Sequence, residues 1–194
     1  MTRAMVRASR LAIGAIACAA IGAASAGPAA ADGAPSLAAF AGGWTRVRVE
    51  EDEAQRISAI RAAIAGLSWI TRQFAGPILE STTSPPRGYE FALDDTRLLM
   101  APRGEPLRPL PLDGSADSSE GPRGTFTRRA RLVDGAIETR WEQSEATGVN
   151  VFRLDDEGTL VIDHTIHVTG LEGVETIQYR ARFRRAPDVA SSGR

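Results

Sequence analysis

Two histidines, His164 and His167, are the side chains here best suited to proton transfer or metal binding near neutral pH. They lie three residues apart in a stretch, Leu160 to Val168, that alternates apolar and polar residues. Side chains on a strand change face at every residue, so the two rings point to opposite faces and cannot share a metal ion without a bulge. His164 shares its face with Ile162 and Ile166 and is expected to point inward. It reads either as a core or barrel-lining histidine or as a polar anchor for a ligand head group. Asp163 points the other way, so no Ser-His-Asp arrangement can be drawn. Glu138 and Glu142 fall on the polar face of a strand, and Asp155, Asp156 and Glu157 fall in a turn. Glycoside hydrolysis needs two carboxylates facing each other across a cleft, and the sequence does not place any two of these so.

All 23 basic residues are arginine. Arg128, Arg129, Arg131, Arg140, Arg153, Arg180, Arg182 and Arg184 crowd the C-terminal half, where cross-strand pairing with Glu138, Glu142 and Asp163 is expected. Arg128 is the exception. It shares a face with Phe126, Ala130 and Leu132, which places it inside, where a charge needs a partner or an anionic ligand. There is no GxxxxGK[ST], no GxGxxG after a strand and no HExxH. The expectation is a protein that is not an enzyme, with no cofactor and no metal site. Loss of the three arginines in residues 1–31 would take the formal net charge from −1 to −4, which argues against a general nucleic-acid binder.

The segment holding those three arginines reads as a signal peptide, residues 1–31. Arg3, Arg7 and Arg10 precede the apolar run Leu11 to Ile21, and Ala24-Ser25-Ala26 and Ala29-Ala30-Ala31 fit a cleavage site. The run is too short for a comfortable membrane span, and no other segment approaches the ~20 apolar residues one needs. A secreted or periplasmic protein is expected. An alternative makes Cys18, the only cysteine, the lipid-modified anchor of a lipoprotein, although Ala15 stands where such signals usually carry Leu. Residues 32–40 read as a flexible leader and 187–194 as a disordered tail.

Between them, Trp44 to Glu50 reads as a first strand. The period then changes: Ile57, Ile60, Ile64, Leu67 and Phe74 fall on one stripe of a helix over about 52–75, which Gly66 divides and Gly76-Pro77 stops. Strand patterns follow at Tyr89 to Leu93 and Arg97 to Met100, with an edge strand or irregular arm at Leu107 to Leu112 and a solvated loop at Asp113 to Gly124. Four more strands are expected at Thr125 to Val133, Ile137 to Gln143, Val149 to Leu154 and Leu160 to Val168, and a last at Thr176 to Arg184. An antiparallel meander of about eight strands can remove its edges by closing on itself. The fold class is therefore mainly β: an up-and-down barrel over 41–186 with one helical insert after the first strand.

Gly42-Gly43-Trp44 opens that first strand as Gly-x-Trp, and the last strand ends Tyr179-Arg180-Ala181-Arg182-Phe183-Arg184-Arg185. This combination resembles the lipocalin-like, or calycin, barrels, and among them small secreted bacterial proteins of unassigned function. The resemblance implies that Trp44 plugs the closed end under an arginine of the final strand, Arg182 or Arg184. The helix near the N-terminus departs from the usual lipocalin, whose helix follows the last strands.

The expected function is binding of a small apolar or amphipathic, lipid-like molecule in the barrel mouth. Arg128, Trp141, Val151, Ile162, His164, Ile166, Tyr179 and Phe183 are the candidate lining, and the helix would plug or lid it. The alternative is a non-enzymatic cell-envelope interaction protein with a packed interior.

Overall fold

The structure, a computed structural model, describes residues 36–95, 97–121 and 124–187. The signal segment, Cys18, most of the leader and most of the tail lie outside the described residues.

A single 3-10 turn, Leu37–Ala39, leads into β1 (Gly42–Val47). Two helices follow, α1 (Val49–Ala63) and α2 (Trp69–Thr82). Nine strands complete the chain: β2 (Gly88–Asp94), β3 (Arg97–Pro102), β4 (Arg108–Pro109), β5 (Asp113–Gly121), β6 (Gly124–Val133), β7 (Ala136–Gln143), β8 (Ala146–Leu154), β9 (Leu160–Val168) and β10 (Ile177–Arg185). They form one ten-stranded antiparallel sheet in the order β4-β3-β2-β1-β10-β9-β8-β7-β6-β5. The count exceeds the expected eight by two because the Leu107 to Leu112 arm pairs as the two-residue β4, and because Asp113–Gly121 is a strand and not a loop. Its side chains are Asp, Ser, Gly, Ala and Glu, so no apolar alternation announces it; backbone pairing with β6 holds it.

The sheet curls without closing by hydrogen bonds: β4 and β5 are its two edges among the described residues. Pro109 and Pro111 offer no amide there, which keeps β4 to two residues. Leu98, Met100 and Leu110 from one end of the sheet nevertheless share a core with Ala130 and Ile137 from the other. That core fills one end of the barrel with Phe40, Trp44, Phe91, Phe152, Ile162 and Phe183. Phe40, read as leader, has no exposed surface.

The helical insert is parted into two helices at the turn that holds Gly66, as the sequence indicates, and α2 runs past the expected stop at Gly76-Pro77. Arg48 takes a left-handed conformation, φ 49°, which ends β1 early and turns the chain directly into α1. Glu50, Glu51 and Asp52 occupy the first turn, where the helix dipole favours carboxylates. Ser68 caps α2 by accepting a hydrogen bond from the Thr71 N–H at 3.2 Å. Pro77 lies inside α2 and does not end it. Pro77 and Gln73, whose carbonyl its missing N–H leaves free, both face solvent, so water can satisfy that carbonyl. The expected stripe also fails at its end: Ile60 and Ile64 are buried, but Phe74 is 70% exposed. Together with Trp69, Ile70 and Ile78 it leaves α2 with an apolar outer face.

The buried face of α1 is half ionic: Asp52, Arg56, Ile60 and Ala63. Asp52 accepts the Arg182 backbone N–H at 2.9 Å and its guanidinium at 2.5 Å, which ties α1 to β10. Arg56 donates to Glu53, to the Glu80 carbonyl at 2.7 Å and to Thr83 Oγ1 at 2.8 Å, which ties α1 to α2.

At the packed end, Trp44 donates its indole N–H to the Phe40 carbonyl at 2.8 Å. The arginine over its ring is Arg185, 4.7 Å from the centroid, and neither Arg182 nor Arg184. Register explains this correction. Trp44 stands directly opposite Arg185, so their side chains share a face, while Arg182 and Arg184 alternate to the other. Arg185 also donates to the Ala39 and Ala41 carbonyls, fixing the turn that carries Phe40.

Candidate functional site

Three rows of inward residues cross the C-terminal strands. The lowest, Leu132, Ile137, Phe152, Ile162 and Ala181, belongs to β6 through β10 in register. The middle row is Ala130, Thr139, Asn150, His164 and Tyr179. The upper row is Arg128, Trp141, Gly148, Ile166 and Ile177. In the lowest row Ile137, Phe152, Ile162 and Ala181 are buried and close-packed, while Leu132, at the seam, is exposed. Between the middle and upper rows and α2 the molecule is hollow.

The cavity measures about 510 Å³, within the range of small-molecule sites. Leu79 and Ala75 of α2 form its roof, and Trp141, Ile166, Val168 and Leu171 its apolar wall. Gln143, Asn150 and His164 are among its polar lining, and among the described residues Glu145 is its only charged one. Ile78, 60% exposed, also lines it, so the apolar outer face of α2 is continuous with the cavity. A second cavity of about 560 Å³ lies at the open seam, lined by Leu37, Leu98, Leu110, Leu112 and Leu132 with Arg97 and Asp113.

His164 is the chemical centre of the first cavity. It is 7% exposed, and burial holds its ring well below the ordinary histidine value, at about 4, so it is neutral near pH 7. Nδ1 lies 2.8 Å from Asn150 Oδ1, an atom that can only accept, so Nδ1 carries the proton. Nε2 is then an acceptor, and it is buried with no hydrogen-bond partner. The imidazole stacks on Tyr179, centroids 4.6 Å apart and planes at 18°. The Tyr179 hydroxyl donates to the Thr83 carbonyl at 2.6 Å, anchoring the end of α2 over the site.

Four of the eight expected lining residues, Trp141, His164, Ile166 and Tyr179, do line this cavity. Ile162 and Phe183 are fully buried, but one row or more below it, in the packed core. Val151 pairs with Glu138 and Asp163 and stands on the outer face, because Gly148, Asn150 and Phe152 take the inward positions of β8. Arg128 is on the inner face as expected, yet its charge meets Asp117 of β5 at 2.9 Å and it does not line the cavity. Asn150 was missed; alternation counted back from Phe152 would have placed it inward, opposite His164. His167 faces outward and pairs with Thr176 Oγ1 at 3.0 Å. Asp163, also outward, holds Arg153 at 2.9 Å and Arg180 at 2.6 Å, a ladder of the expected kind. Among the described residues no group of three or more His, Cys, Asp or Glu side chains is placed to hold a metal ion. Likewise none of the described helices is long and apolar enough to cross a membrane.

Trp141 lies flat against the backbone of Gly148: a Cβ built there would come within 2.5 Å of the indole. Its other face stacks on Phe126, centroids 6.2 Å apart. Gly148→Ala should therefore swing the indole off the wall. The Trp141 indole N–H resonance is expected to shift while the Trp44 resonance stays in place; an unmoved Trp141 signal would contradict the packing described.

No family model and no curated protein matches the sequence. Among solved structures, the chain is similar to a "secretary abundant heat soluble (SAHS) protein" from Ramazzottius varieornatus, with a TM-score of 0.50 at 9% identity over 76% of this chain and 96% of that one. At that identity the likeness is one of fold, and the fold is a lipocalin-like β-barrel.

Proposed function

We propose that the protein binds a small apolar or amphipathic molecule in the cavity between α2 and strands β7 to β10, and that it does so without catalysis. The observation that carries this is a cavity of about 510 Å³, apolar along most of its wall. A barrel that needed only to be stable would gain by filling that space, since interiors pack to crystal-like density and voids cost stability. The 1–31 segment extends the proposal: the protein works after export, secreted or periplasmic, or anchored through Cys18 in the lipoprotein alternative.

Nile red, an uncharged apolar dye, tests the proposal. Its emission should rise to saturation at one site per chain. Ala146→Phe, which fills the cavity from β8, should weaken binding at least tenfold without unfolding the protein. A second reading, an envelope interaction protein acting through its surface, is favoured by the exposed stripe Trp69, Ile70, Phe74 and Ile78. It predicts dye binding that survives Ala146→Phe and is lost on changing Trp69 and Phe74 to Ser.

A further inference from the structure

We infer that the outer face of α2 docks a second copy of this chain, the two copies pairing about a two-fold axis at Phe74. This goes beyond the ligand site and does not depend on it. Ile70, Phe74 and Ile78 recur every four residues of the helix, so they stand in one ridge along it. Each is at least 60% exposed, and Trp69 adds an exposed indole beside the start of the ridge. No outward position of α2 carries a charge; its two charged residues, Arg72 and Glu80, are partly buried on its flanks.

Three features select a second copy as the occupant. The first is symmetry. Ile70 and Ile78 lie four residues to either side of Phe74. An isologous contact sets residue i against j and j against i. An antiparallel copy therefore lays Ile70 of one chain on Ile78 of the other, and Phe74 on Phe74. Gln73 and Pro77 fall on the neighbouring row, at the rim of such a contact, where water still reaches the Gln73 carbonyl. The second is area. Trp69 and Phe74 present roughly 300 Å² of surface, and the two isoleucines bring this to about 500 Å². Two copies then bury about 1,000 Å² in all, the least that a specific interface needs. The pair is accordingly weak and reversible, with micromolar and not nanomolar affinity. The third is charge. A helix that lies on a lipid surface carries basic residues along its polar face to meet the headgroups. α2 has one arginine, Arg72, and it is turned back to the Ala65 carbonyl at 2.7 Å. An uncharged face, by contrast, adds no repulsion when it meets itself.

Sedimentation velocity of the full chain between about 1 and about 200 μM, the range set by a weak interface of this size, tests the pairing. The expected result is a shift from monomer to dimer across that range. Phe74→Glu and Phe74→Arg should each keep the protein monomeric at the highest concentration, because each sets two like charges together on the axis. Phe74 is 70% exposed, so both variants should keep the circular dichroism of the unmodified protein. An equimolar mixture of the two variants should restore the dimer, since the new carboxylate then meets the new guanidinium. A monomer at the highest concentration, a dimer that survives both single substitutions, or a mixture that stays monomeric would each overturn the two-fold pairing. So would a chain that stays monomeric and instead co-sediments with phosphatidylcholine vesicles until Phe74 is changed, which would put lipid in the place of the second copy. Failure of Nile red to bind would overturn the cavity reading and leave the pairing standing.

Discussion

Asp52→Ala is expected to cost about 3–5 kcal/mol of folding stability, the usual penalty for breaking a buried ion pair from one side. Asp52 has no exposed surface, and its two oxygens accept the Arg182 guanidinium and the Arg182 backbone N–H. Burial pushes its carboxyl up from the ordinary value, and the Arg182 amide and guanidinium pull it back. Removing the carboxylate leaves an amide of β10 unsatisfied and a partly buried guanidinium with only Glu51, 3.5 Å away at the surface. It also frees α1 from the strand beside it. For a domain of this size the midpoint of thermal unfolding should fall by roughly 10 °C. Glu51→Ala, which removes an exposed partner of the same arginine, should cost well under about 1 kcal/mol. Equal effects of the two substitutions would show that the α1–β10 clasp does not carry the stability assigned to it.

Stability should also fall on acidification by an amount traceable to His164. The ring is held at about 4 in the folded protein against 6.5 in an unfolded chain, mainly by burial. Between those values the unfolded chain binds a proton that the folded one refuses. The contribution is therefore whole above pH 6.5, declines as the pH falls below it, and stops declining near pH 4, where the folded state takes up the proton too. Its size is about 3 kcal/mol. Chemical denaturation of the protein and of His164→Gln at pH 7 and pH 4 isolates this term, because carboxylate titrations are common to both. The loss between the two pH values should be smaller in the variant by about that amount. Parallel losses would mean that the ring is hydrated and titrates freely.

Much of this architecture can be read from the chain, and the failures have separate physical causes. Ile162 to His167 alternates because one face of β9 meets the interior and the other is more open, while Leu160, Val161 and Ile162 are all buried; the expected and observed bounds of β9 agree. β5 carries no such mark, since an edge strand of Asp, Ser and Gly is held by its backbone alone. The helices were misjudged because the buried face of α1 is half charged and the apolar face of α2 is turned outward. For the site, alternation placed Trp141, His164, Ile166 and Tyr179 on the correct face, but facing inward is not the same as lining a cavity. Ile162 and Phe183 face inward too, at a depth where Tyr89, Phe91 and Phe152 fill the space. That depth depends on how far the sheet curls, which no local pattern encodes. The arginine over Trp44 was displaced by one residue, and one residue on a strand is a change of face.

The central claim is that the space beneath α2 is where a ligand resides. Chemical-shift mapping of the isotope-labelled protein during a titration with 1-dodecanol addresses it most directly. The account predicts saturable shifts at Leu79, Trp141, Gly148, His164 and Ile166, with the packed-end residues Trp44 and Phe183 unmoved. Shifts confined to the seam residues Leu37, Leu98, Leu110 and Leu132, or to the outer face of α2, or no saturable shift at all, would contradict it.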